Sequence, residues 1–316
     1  MPPKLTVQQK NRLSTLEPAL HQAVYCGNYT EAKLLAVEIQ RLLRATGHET
    51  RLMQSKNWLY EAALNAGEIL TAEIGFRGVL SKTKSTTKVH LEAMALLVVC
   101  LLKQNKLSEA EVLIPKVLNS KNIKTSEKRK VFISSVAKRF EMEGFISAVR
   151  NLESENWDVN EIDLLAGKAV MENKSEHQLF IEIGAALPAT VLDYVNRIDK
   201  ASRKQLTQIE LKYLSSPDSL RKQSEQGKNF FDSLKLVIWK SMCDPQSEIY
   251  KAWFTNGISH FLSKKYYTFA VTSALLELGF AVKAVAVPVI ALLIKLGVEV
   301  YCERYKPAEI LDGRSQ

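Results

Sequence analysis

An all-α chain is predicted, on three observations. Turn residues are scarce, with 13 Gly and 9 Pro in 316 residues, too few for the many tight turns of an all-β protein. Apolar residues recur at helical spacing through most of the chain. A short segment of constant pattern returns at intervals of 38 to 40 residues. Together they predict an N-terminal α-solenoid followed by a C-terminal helical domain that contains an apolar helical hairpin.

The recurring segment reads Gly27-Asn28-Tyr29-Thr30-Glu31-Ala32, then Gly67-Glu68-Ile69-Leu70-Thr71-Ala72, then Asn105-Lys106-Leu107-Ser108-Glu109-Ala110. A fourth copy is read at Glu143-Gly144-Phe145-Ile146-Ser147-Ala148. Each has Gly or Asn, an apolar residue and then Ala. Gly and Asn tolerate the left-handed backbone that ends a helix. The apolar residue packs back on that helix, and the small Ala lets the next helix approach closely. Flanking stripes agree: Leu35, Ala36, Ile39, Leu42 and Leu43 follow Ala32, and Phe76, Val79 and Leu80 follow Ala72. The expected repeat-packing residues are therefore Gly27, Tyr29, Ala32, Gly67, Ala72, Leu107, Ala110, Gly144 and Ala148.

These segments resemble the tetratricopeptide repeat family over residues 14–155, most closely in Gly27-x-Tyr29-x-x-Ala32. The resemblance implies a right-handed superhelix whose concave face binds a protein or peptide. The period departs from the family's, which is about 34 residues. The surplus is assigned to longer inter-repeat loops at Ser81–Lys88 and Ser120–Lys130. No peptide-clamp motif is legible, so the side chains of that face are not assigned.

Past Trp157 the register fades. Glu161–Glu172, Gln178–Leu187, Ala189–Ile198 and Arg203–Leu214 read as helices, and Ser215-Ser216-Pro217-Asp218 as a turn before another. The expected organisation is a repeat region over 1–155, a helical continuation or linker over 156–217, and a C-terminal helical domain over 218–316.

Phe269 to Tyr301 is almost continuously apolar, but its longest uncharged run, Ala284 to Ile294, is 11 residues. That is short of the roughly 20 apolar residues of a transmembrane helix. Gly279, Pro288 and Gly297 interrupt it, and Pro288 is expected to kink a helix. Three readings stand: a buried hairpin, a surface for oligomerisation or a partner, and conditional membrane insertion. Phe280, Val287, Ile290 and Leu293 are the candidates for such a surface. The N-terminus shows no secretory apolar region, so a cytoplasmic protein is expected, with membrane association through 269–301 as the alternative.

Motifs for chemistry are sparse. There is no P-loop and no G-x-S-x-G elbow. The five histidines, His21, His48, His90, His177 and His260, have no metal-ligand spacing. Cys26, Cys100, Cys243 and Cys302 are far apart and are expected to be reduced core thiols. Glu210-Leu211-Lys212, with Asp193 and Asp199 upstream, has the E-x-K spacing of a Mg²⁺ nuclease core, but its charged surroundings read as a solvated helix. No enzyme, cofactor or metal site is expected.

The net charge is +9. Lys121, Lys124, Lys128, Arg129 and Lys130 form the densest basic run, placed in an inter-repeat loop and opposed only by Glu127. No aromatic is interleaved to stack bases. The functional expectation is a protein-binding scaffold or sensor with an oligomerisation or effector domain, of the kind a bacterial stress or phage-defence system uses. A basic nucleic-acid-binding protein and a repeat-regulated membrane effector are the alternatives.

Overall fold

The computed structural model describes residues 3–149, 157–203, 219–255, 264–280 and 282–305. The fold is all-α: among the described residues fifteen helices follow one another and no strand occurs. The chain forms two compact units, divided between Phe140 and Glu141. The boundaries read from composition, 155 and 217, fall on residues outside the described set.

The first unit contains α1 (Val7–Tyr25), α2 (Tyr29–Ala45), α3 (Glu49–Asn65), α4 (Ile69–Lys82), α5 (Lys88–Lys103), α6 (Leu107–Leu118) and the first part of α7 (Ser126–Val149). From α1 to α6 each helix packs on the next, and α1 also packs on α3 and α3 on α5. The odd helices thus form one layer and the even helices the other. Starts are set by side-chain caps that satisfy otherwise unpaired N–H groups. Thr6 and Gln9 form a capping box on α1, Asn28 caps α2 and Thr87 caps α5.

Three of the four expected turns have one geometry. Gly27, Gly67 and Asn105 adopt φ of +68°, +87° and +58°. The following N–H groups, of Asn28, Glu68 and Lys106, donate back to the carbonyls of Ala23, Ala63 and Leu101. This six-to-one bond defines the left-handed helix end for which Gly and Asn are suited. Ala32, Ala72 and Ala110 are fully buried where the next helix comes close.

Two expectations are corrected. The long period does not arise only from long loops. The α2–α3 connection, Thr46-Gly47-His48, is as short as the turns within the pairs, with Gly47 left-handed and His48 N–H donating to the Leu43 carbonyl. The helices themselves are long: α1, α2 and α3 have 19, 17 and 17 residues. Only residues 83–87 and 119–125 make longer connections. Nor is the fourth segment a turn. Glu143–Ala148 lies inside α7, which runs unbroken for 24 residues. Gly144 there serves packing, since a Cβ on it would meet the Ile198 side chain at 2.3 Å.

The second unit contains the end of α7, then α8 (Val159–Met171), α9 (Glu176–Ala186), α10 (Ala189–Arg203), α11 (Ser219–Met242), α12 (Glu248–Thr255), α13 (Lys264–Glu277), α14 (Lys283–Leu296) and α15 (Val298–Arg304). Asp158 caps α8, and Ser175 with Gln178 forms a capping box on α9. The predicted helix over Arg203–Leu214 lies outside the described residues from 204 onward.

The apolar hairpin, α13 and α14, is the centre of this unit's core. Rings of Phe145, Phe230 and Phe280 follow one another at centroid distances of 5.6 and 5.5 Å. Buried hydroxyls are satisfied: Tyr266 donates to the Met242 carbonyl, Tyr301 to that of Lys235, and Thr268 to the Asp163 carboxylate. Burial pushes the Tyr266 and Tyr301 phenols well above their usual range. Pro288 lies within α14 without ending it, and the sharp bend, 93°, comes at Gly297 with φ +81°.

The cysteine expectation is corrected in part. Cys243 and Cys302 form a disulfide, while Cys26 is an exposed thiol and Cys100 a buried one. Packing of α15 on α11 brings the pair together across 59 residues of sequence. The Trp239 indole N–H, donating to the Cys302 carbonyl, fixes the same approach.

Candidate functional site

The most regular surface feature of the first unit lies on the even helices. Two positions beyond each buried repeat alanine stand Leu34, Ile74 and Val112. All three are solvent-exposed, at 67%, 73% and 59%. Leu70 and Val37 extend the same outward faces of α4 and α2, at 65% and 45%. Single exposed apolar residues are ordinary, but a register-matched set on successive repeats is not explained by packing.

Part of the charge on these helices is paired. Arg77 on α4 pairs with Glu73 one turn earlier and with Glu109 on α6, at 2.8 and 2.9 Å. Lys106 pairs with Glu73 at 3.0 Å, and Gln104 donates to it at 2.7 Å. Burial alone pushes the Glu73 carboxyl up. Hydrogen bonds from Gln104, Lys106 and Arg77, aided by the Lys106 charge, outweigh burial and hold it at about 2. On α2, Glu38 is taken by Arg12 of α1 at 2.6 Å. The face is therefore apolar at its centre, with exposed Lys33, Arg41 and Lys116 at its border.

The odd helices carry a polar seam instead. Gln54 donates to buried Glu92, Asn57 to the Val89 carbonyl, and Asn65 to the Val24 carbonyl. His21 stacks obliquely on Trp58 at 5.7 Å. Each polar group here ties one odd helix to another, a structural task.

In the second unit an open cleft of about 770 Å³ runs between α8, α9 and α14. Its walls include Leu165, Ala169, Val287 and Pro288. Its charged rim is paired, Lys174 with Glu182 at 2.6 Å, and Lys295 donates to the Lys174 carbonyl. No His, Ser or Cys lines it; its ionisable lining groups are Lys168, Glu172, Lys174, Glu182 and Lys283. No group of three or more His, Cys, Asp or Glu able to hold a metal occurs among the described residues.

The expected site residues sort as follows. Gly27, Gly67, Ala32, Ala72, Leu107 and Ala110 shape turns and helix contacts, and Tyr29 lies half-buried beneath Lys33. Gly144 and Ala148 are interior positions of α7. Lys121 and Lys124 are in the α6–α7 loop, whereas Lys128, Arg129 and Lys130 belong to the start of α7, a correction to the single loop expected. Phe280, Ile290 and Leu293 are fully buried and form core; only Val287 reaches a surface, at the cleft. The expected oligomer or membrane surface is thus corrected, because α8 and α9 pack on α14 and the Phe230 ring of α11 packs on Phe280. No single helix among the described residues is long and apolar enough to cross a membrane. Asp193 is exposed on α10, and Glu210 and Lys212 lie outside the described residues.

The exposed set Leu34, Ile74 and Val112 falls outside the apolar stripes of the repeat, which mark the buried face of each helix. Its signal was available: the three share one offset from the repeat alanine.

Fold and surface define a class, an all-helical protein whose first unit is a two-layer helical array. No family model matches the chain, and neither a curated protein nor a solved structure matches it.

Proposed function

We propose that this chain is a non-catalytic binding protein whose first unit docks an amphipathic segment of a partner protein on the even-helix face. The observation that carries the reading is the register-matched exposure of Leu34, Ile74 and Val112. Burying three such side chains contributes roughly 1.5–3 kcal/mol each before the costs of association. Ion pairs of Arg77 with Glu73 and Glu109 and of Arg12 with Glu38 flank the apolar positions, and exposed Lys33, Arg41 and Lys116 border them. That surface suits the apolar face of an amphipathic helix whose flanks carry acidic residues. The resemblance to tetratricopeptide repeats supports a protein ligand, although the face used here is the even-helix side.

The test compares the wild type with a Leu34→Ser, Ile74→Ser, Val112→Ser triple variant. Because the three side chains are exposed, the variant keeps its helicity and thermal midpoint. A stoichiometric partner is recovered with the wild type, its contact segment is mapped by cross-linking, and a synthetic peptide of that segment binds the wild type alone. Recovery of the same partner by the triple variant overturns the reading. So does a wild-type dimer that the triple variant converts to monomer, because the occupant is then a second copy.

A further inference from the structure

The chain's excess positive charge is not spread evenly. Residues 1–140 hold 22 Lys and Arg against 11 Glu and no Asp, whereas the remainder holds 21 basic against 23 acidic residues. The entire surplus therefore belongs to the first unit. Within that unit it gathers along one edge, where the α2–α3, α4–α5 and α6–α7 connections lie.

Two observations place these connections together. Lys56 on α3 has its ammonium pKa lowered, first by burial and then by the charges of Arg44, near the end of α2, and Lys82, the last residue of α4. Those three cations accordingly share one neighbourhood. The Asn122 side chain donates to the carbonyls of Ser85 and Thr87 at 2.7 and 3.0 Å, clamping the α6–α7 loop onto the α4–α5 loop. Lys84 thus stands beside the loop that bears Lys121 and Lys124. None of Arg44, Lys56, Lys82, Lys84, Lys121 and Lys124 has an ion-pair partner among the described residues. Lys88 is the exception, lying 3.6 Å from Glu92.

Structural needs explain only part of this. A cation in the last turn of a helix complements its dipole, which accounts for Arg44 and Lys82. It does not account for three lysines in the connecting loops, nor for Lys56 held between two like charges. Repulsion of that kind is relieved by a bound polyanion.

We propose that this edge binds the phosphodiester backbone of a nucleic acid, without reading base sequence. Helix axes in packed layers are about 8–10 Å apart. Three successive connections then span about 20 Å, the length of roughly six phosphates of one strand. No large apolar side chain is exposed between Val37 and Leu70, between Ile74 and Val112, or between Val112 and Val131, the stretches that carry the edge. Nothing there inserts into a bilayer or stacks on bases, so lipid and sequence-specific recognition are disfavoured. The apolar even-helix face and this basic edge therefore take different ligands.

The experiment is fluorescence anisotropy with labelled 20-nucleotide single-stranded RNA, single-stranded DNA and duplex DNA of unrelated sequences, titrated from 50 to 200 mM salt. The wild type binds with little dependence on sequence and a steep loss of affinity with salt. A Lys84→Glu, Lys121→Glu, Lys124→Glu variant, checked by circular dichroism, binds at least tenfold more weakly. Its slope of log affinity against log salt is smaller by about 2–3, as expected for three lost phosphate contacts. The Leu34/Ile74/Val112 serine variant binds like the wild type. Comparison of the three probes separates RNA from DNA as the source of the backbone. Absence of binding to all three at 50 mM salt overturns the proposal, as does unchanged binding by the Lys→Glu variant. Binding to phosphatidylserine vesicles that nucleic acid does not compete away overturns it in favour of a membrane ligand.

Discussion

Gly184 of α9 and Gly227 of α11 cross backbone to backbone. A Cβ on Gly227 would lie 1.9 Å from the Phe180 carbonyl oxygen and 2.8 Å from the Gly184 nitrogen, and one on Gly184 would lie 1.9 Å from the Gln223 carbonyl oxygen. Neither neighbour is a flexible side chain, so an added methyl must drive the helices apart. Helix propensity alone favours Ala over Gly by about 1 kcal/mol. Gly184→Ala and Gly227→Ala are nonetheless expected to destabilise the second unit by about 2–3 kcal/mol through overpacking. Urea unfolding followed by near-ultraviolet circular dichroism checks this; a gain in stability for either variant would contradict the crossing.

At Gly67 the constraint is conformational and not spatial. A Cβ there meets nothing within 4 Å, but φ is +87°. Gly67→Ala is expected to cost about 1 kcal/mol. Gly67→Asn should cost less than half as much, because Asn105 already fills the equivalent turn at φ +58°. Equal thermal midpoints for the Ala and Asn variants would show that the left-handed backbone is not what this position requires.

The Glu73 cluster predicts an acid-sensitive contribution. The folded pKa, about 2, lies below the ordinary 4.5, so the stabilisation is complete above pH 4.5 and is lost as pH falls toward 2. Its size is on the order of 1–2 kcal/mol once solvent screening of the half-exposed Arg77 and Lys106 is allowed for. Glu73→Gln should therefore be less stable than the wild type at pH 7, with the two converging near pH 2–3. A gap that persists unchanged at low pH would assign the loss to packing and not to charge.

Thiol titration checks the cysteine assignment. Without reductant, one equivalent should react in the folded protein, from exposed Cys26, and a second, from Cys100, only after unfolding. Cys243 and Cys302 should add two more after unfolding in reductant. Four reactive thiols in unfolded, unreduced protein would mean that the pair is not bonded.

Several features were legible in the residues alone. Gly27, Gly67 and Asn105 announced turns because a left-handed helix end favours those residue types wherever they sit in a fold. Ala32, Ala72 and Ala110 announced close helix contacts because a small side chain at fixed spacing has few other uses. The apolar periodicity placed α8, α9 and the start of α10 to within a few residues.

Gly144 shows the limit of such reading. Its segment matches the others in pattern, yet α7 runs through it, since Gly in a helix is tolerated where another side chain, here Ile198, needs the room. Local sequence determined this protein's helical class, its first turns and its repeat spacing, all set by backbone preference and side-chain size over a few residues. Tertiary structure alone decided the rest: that the apolar hairpin is core, that Cys243 meets Cys302, that Gly184 meets Gly227, and that lysines from three separate connections share one edge. Each of these joins groups far apart along the chain, and such meetings are governed by how whole helices pack rather than by the residues on either side.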